Sequence, residues 1–85
     1  MNIQLRFFAS IREALQTEHE RISLPDEVKT IRDVRTYLVR RGGVWAEVLG
    51  DDKVVHVDYE HKISNPDKAV TEGCVIAFFP PVTGG

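Results

Sequence analysis

Apolar and polar positions alternate with a period of two at the start of the chain. Ile3, Leu5 and Phe7 form one set, and Gln4, Arg6 and Phe8 the other. Such alternation predicts a half-buried strand over residues 1–9. Ser10 stands where a cap is wanted, and Ile11, Ala14 and Leu15 give a short helix over 10–15 its apolar side. Residues 16–20 read as a polar turn. Ile22 and Leu24 alternate with Arg21 and Ser23, a short second strand that Pro25-Asp26 ends. The period then changes. Ile31, Val34 and Leu38 fall at 3/4 spacing with Tyr37 beside them, which predicts the main helix. Thr30 can cap it, and Asp33 three residues on makes a shorter version of the capping box. Arg40 and Arg41 suit the negative end of its dipole, and Gly42-Gly43 supplies the stop. Val44, Trp45, Val48 and Leu49 predict a further short helical turn on the core. Residues 54–59 are a β-branched run and read as a strand. Residues 61–64 read as a short edge strand that Asn65-Pro66 closes. Residues 75–79, with valine, isoleucine and two phenylalanines, are the most strand-like stretch of all.

Two strands, a long helix and further strands around one core make an α+β roll. The first and last strands can lie parallel in its centre, with the helix over one side of the sheet. Parity then places two aromatic rings. If Ile3, Leu5 and Phe7 face the helix, Phe8 faces away. If Ile76 and Phe78 are core, Phe79 faces away too. Phe8 and Phe79 are thus expected side by side on the uncovered side, as an apolar patch facing a partner. The alternative is that the strand ends twist and the rings belong to the core.

Composition narrows the function classes. Eighty-five residues make one domain, with 42% hydrophobic and 28% charged side chains. A net charge of −2 lacks the basic surplus that nucleic acid or an anionic membrane attracts. The single cysteine, Cys74, excludes an internal disulfide. No apolar run approaches the roughly 20 residues of a membrane span, and the N-terminus has no signal pattern, so a cytoplasmic setting is expected. Domain organisation reads as a globular unit over 1–79 and an extended tail over 80–85.

That tail changes the picture. Every charged side chain lies at or before Glu72, and residues 73–85 read GCVIAFFPPVTGG. Pro80-Pro81 favours an extended course away from the sheet. Six residues reach at most about 20 Å when extended. Gly84 and Gly85 can enter a narrow tunnel, where only the α-carboxylate is reactive. On these residues the chain resembles the small subunit of molybdopterin synthase, the MoaD family. Phe78-Phe79-Pro80-Pro81-Val82-Thr83-Gly84-Gly85 fits that family's F-x-P-P-V-[ST]-G-G ending. Leu5-Arg6-Phe7-Phe8-Ala9, followed by Arg12-Glu13, is similar to its opening.

The resemblance implies a β-grasp, or ubiquitin-like, roll: a mixed sheet of about four to five strands, one main helix and short extra helices. It also implies a mechanism. A MoeB-like enzyme uses ATP to adenylate the Gly85 carboxylate, and a sulfur donor protein converts the acyl-adenylate to a thiocarboxylate. The tail, Pro80, Pro81, Val82, Thr83 and Gly84 included, then threads into a MoaE-like large subunit. There it donates sulfur to cyclic pyranopterin monophosphate, building the dithiolene that holds molybdenum or tungsten. Gly85 is the reacting residue, and the chain must end there. The small subunit is non-catalytic, because the active site lies mainly in the large one. No cofactor is held permanently, and the family assembly is a heterotetramer. Rival readings share the Gly-Gly end: a thiamin-pathway sulfur carrier, a ubiquitin-like modifier joined to lysine, or an interaction module with no terminal chemistry.

Other residues carry weaker signals. His56, Asp58 and His61 are conceivable metal ligands, but 56 and 58 share a strand side while His61 lies past a turn, and zinc wants four close ligands. No metal site is therefore expected. Cys74 has no histidine placed to activate it and reads as a half-buried filler. Arg32, Arg35, Arg40 and Arg41 read as a solvated helix side. Gly42-Gly43 follows a helix rather than a strand, so it is a cap and not a phosphate loop. Trp45 reads as core.

Overall fold

The computed structural model describes residues 1–81. Its elements run β1 (Asn2–Phe7), α1 (Ala9–Leu15), β2 (His19–Ser23), α2 (Ile31–Val39), α3 (Val44–Leu49), β3 (His56–Tyr59), β4 (Lys62–Ile63) and β5 (Val75–Phe79). The strands form one five-stranded mixed sheet in the order β2-β1-β5-β3-β4. β1 and β5 are parallel neighbours at its centre, with Leu5 beside Ile76 and Phe7 beside Phe78. β3 and β2 flank them, both antiparallel.

The alternation read from the sequence sets this register. Ile3, Leu5 and Phe7 are buried while Asn2, Gln4 and Arg6 are exposed. Ile76 and Phe78 join them in the core with Ile31, Val34 and Leu38 of α2. Each such side chain contributes roughly 1.5–3 kcal/mol by leaving water. α2 starts as expected. The Thr30 hydroxyl accepts from the Asp33 N–H at 3.1 Å, and the Asp33 carboxylate accepts from the Thr30 N–H at 3.1 Å.

Several boundaries differ from the sequence expectation. Ser10 does not cap α1; the cap position is Phe8, which makes no side-chain capping bond. Hydrogen bonding to the sheet decides this, because the Phe8 N–H still donates to the Phe78 carbonyl while its own carbonyl already accepts from Arg12. β2 begins at His19, inside the segment expected to be a polar turn, since pairing with β1 outweighs its polarity. Arg40 and Arg41 lie past the last turn of α2, and Gly42 follows at φ +76°, a conformation that glycine adopts without strain. Among the described residues no helix is long and apolar enough to cross a membrane.

Candidate functional site

The side of the sheet away from α2 converges on the end of β5. Along β1 and β5 the outward positions form rows, Gln4 beside Val75 and Arg6 beside Ala77, and just past the end of β1 the Phe8 ring lies beside that of Phe79. The Phe8 and Phe79 rings stack with centroids 4.5 Å apart and planes 6° from parallel. Parity therefore holds for both, and each is half-buried because it covers the other. The next row inward differs from simple parity. Ala77 is buried, 8% exposed, although it shares its side with Phe79. It sits between Arg6 and Asp58 in the register, and their larger side chains flank its methyl group.

β3 and β4 complete the site. His56 pairs with Phe79, and Asp58 pairs with Ala77 on one side and Ile63 on the other. Ala9, His56, Asp58, Ile63, Phe79, Pro80 and Pro81 line an open, mainly apolar groove at the root of the tail. Ile63 is 92% exposed. Nothing within the fold requires an isoleucine there, and sequence reasoning missed it. The signal was available only through the hairpin register. Tyr59 pairs with Lys62 across a two-residue loop, and Glu60 and His61 in that loop both take positive φ, +50° and +68°. That geometry normally advertises itself with Asn-Gly, so Glu-His concealed the turn. Glu60 is held there from two directions: its N–H donates to the Val75 carbonyl, and its carboxylate accepts from the Val75 N–H.

Of the expected tail residues, Pro80 and Pro81 form one wall of this groove. Val82, Thr83, Gly84 and Gly85 lie outside the described residues. Cys74 is fully buried rather than half-buried, at 1% exposure, because it closes the turn before the central strand. Burial pushes its thiol pKa up, which disfavours the thiolate that a nucleophile would need. His56 and Asp58 share a strand side, as expected, and His61 sits in the hairpin loop. Among the described residues no three His, Cys, Asp or Glu side chains stand close enough to hold a metal ion.

The basic helix side is not simply solvated. Arg35 Nε donates to the Leu49 carbonyl, and its Nη2 donates to the carbonyls of Gly50 and Lys53, each at 2.7 Å. Arg41 pairs with Glu20 and lies 4.4 Å over the Trp45 ring. Trp45 is half-buried and meets Phe7 edge to face at 5.5 Å. Arg32 pairs with Asp67 in water. These contacts tie α2, α3 and β2 together.

Residues 5–85 match the ThiS family. A curated relative, the molybdopterin synthase sulfur carrier subunit of Haemophilus influenzae, is 37% identical over 83 residues, covering 98% of this chain and 99% of that protein. Among solved structures, SAMP1 from Haloferax volcanii superposes with a TM-score of 0.80 at 26% identity over the whole of both chains. A chain from the complex of subunits 1 and 2 of the molybdopterin-converting factor of Helicobacter pylori does so with a TM-score of 0.69, also at 26% identity and full coverage of both. The sheet order and the helix across it are thus the ubiquitin-like β-grasp arrangement. By its sequence from Leu5 to Gly85 and by its fold, the chain belongs to the ThiS family, together with the sulfur carrier subunits of molybdopterin synthase.

Proposed function

We propose that this protein is the sulfur carrier subunit of a molybdopterin synthase, working in the cytoplasm with a large subunit that holds the active site. The observation that carries this reading is the 37% identity to a protein of that name along almost the entire length of both. The β5 geometry supports it: a central strand delivers the chain to a groove whose walls include Pro80 and Pro81.

The chemistry follows from the terminal carboxylate. A carboxylate is a poor electrophile. Attack of the Gly85 carboxylate oxygen on the α-phosphorus of ATP, in a MoeB-like enzyme, expels pyrophosphate and leaves an acyl-adenylate. Attack at the acyl carbon by a sulfide equivalent from a donor protein then expels AMP and leaves a thiocarboxylate. Docked in the large subunit, that soft sulfur nucleophile attacks a side-chain carbon of cyclic pyranopterin monophosphate and displaces an oxygen there; water then cleaves the resulting thioester, returning the Gly85 carboxylate and leaving the sulfur on the pterin. Two such deliveries make a dithiolene. Phe8 and Phe79 form the surface that meets the activating enzyme and the large subunit in turn, and Thr83 and Gly84 form the threaded segment. No cofactor needs to stay bound to the carrier.

Intact-mass analysis tests the reading. Incubation with ATP, the activating enzyme and a sulfur source should replace one oxygen by sulfur, and deletion of Gly85 should abolish the change. No replacement, or one that survives the deletion, overturns it. A residue added after Gly85 should block the reaction too, whereas a plain binding module would tolerate it. Likeness to SAMP1, a small archaeal modifier protein, favours one second reading, an isopeptide-forming modifier. A covalent adduct with a protein lysine, rather than a thioacid, would mark it.

A further inference from the structure

The uncovered side of the sheet is divided by charge as well as by polarity. On the β1–β2 flank, Arg6 stands opposite His19, and Arg21 stands opposite Gln4, one diagonal step away. All three are exposed. Asp58 occupies the same row as Arg6 on the other flank, with Ala77 between them. Two strand spacings, about 10 Å, separate those backbones, and no ion pair joins the two side chains. Among the described residues the ion pairs are Arg32–Asp67, Arg41–Glu20 and Lys53–Asp52, so Arg6 and Arg21 take part in none. Glu72, which shares a shallow depression with Arg21, already accepts the Asn2 N–H.

Setting Arg6 and Arg21 on diagonal positions of neighbouring strands weakens the fold slightly. Here the leading cation also lies at the rim of the apolar patch, its guanidinium carbon 5.9 Å from the centre of the Phe8 ring. An arginine resting against an aromatic ring keeps its outer N–H groups free in a planar fork that fits a carboxylate. We propose that Arg6, backed by Arg21, receives a carboxylate of the large subunit and fixes the orientation in which the two subunits meet. The inference rests on the sulfur-carrier reading. With a cation on the β1–β2 flank and Asp58 on the β3–β4 flank, a partner turned end for end would set like charges against each other, and such juxtapositions suppress wrong poses.

The test is the association rate of the full chain with its large subunit, measured at low and high salt for wild type, Arg6→Gln and Arg6→Glu. At low salt the rate should fall in that order, by about tenfold or more for the glutamate, and the three should converge as salt rises. Thermal stability of Arg6→Glu should be equal or higher, because a carboxylate now faces Arg21. Equal rates at low salt, or a deficit that persists undiminished at high salt, overturn the proposal. In that case a wild-type complex that still forms, with a tail that still gains sulfur, leaves the carrier reading standing. Failure of the wild type to bind the large subunit at all overturns both.

Discussion

At the scale of single residues, the fold is set by a few side chains with more than one duty. Asp33 is the clearest. Its carboxylate accepts from the N–H groups of Lys29 and Thr30, and these bonds hold its pKa below the usual 3.8. A lowered acid pKa gives stability that is present above the unfolded value and is lost as pH falls through the folded one. Asp33→Asn should therefore lower the melting temperature at neutral pH. The gap from wild type should close progressively below pH 3.8, as melting curves across the acid range would check. This role was legible in the sequence, because the Thr30–Asp33 spacing is itself the signal. The role of Arg35 was not. Its three carbonyl acceptors lie at the end of α3 and in the turn after it, more than ten positions away, and no local pattern announces a long-range clamp.

At the scale of elements, that clamp decides where α3 sits. Leu49 and Gly50 end α3, and Lys53 lies in the turn that leads toward β3. Arg35→Gln cannot reach all three carbonyls with comparable strength. A loss of roughly 1–2 kcal/mol is expected, which lowers the melting temperature by about 5–10 °C in a domain of this size. Calorimetry would measure it. The strong strands and the main helix were readable from period alone: the Ile3-Leu5-Phe7 alternation and the Ile31-Val34-Leu38 spacing leave little choice. β2 was misjudged at its start because His19 and Glu20 are polar, and an edge strand needs only one buried side. The β3–β4 hairpin was half-seen, since its loop residues carry positive φ without the usual glycine or asparagine. The groove was legible at Phe8 and Phe79, where parity suffices, and illegible at Ile63, where the register of a two-residue strand had to be known first.

At the scale of the molecule, the sheet separates the core from the proposed contact surface. Phe7 and Phe78 stack on the inner side, with centroids 5.9 Å apart, while Phe8 and Phe79 stack on the outer side. The same two strands thus present one aromatic pair to the fold and one outward. Phe8→Ser and Phe79→Ser should leave the circular dichroism spectrum of the domain intact, because Phe7 and Phe78 remain. Each should weaken binding to the large subunit by about 2 kcal/mol, roughly 30-fold in Kd. Titration calorimetry on the folded variants would check this; loss of the folded spectrum instead would return both rings to the core.

Placing the outgoing chain on the central strand also has a mechanical consequence. β5 is bonded to β1 from Val75 to Phe78 on one side and to β3 from Ile76 to Phe79 on the other. A pull on the chain beyond Phe79, directed along the strand axis, loads both ladders in shear, so many bonds resist together instead of opening one at a time. Had the tail left from β4, a strand of two residues at the sheet's edge, the same pull would peel it away. If the proposed carrier passes its tail from one partner to another, that handle is fixed where tension is least able to unravel it.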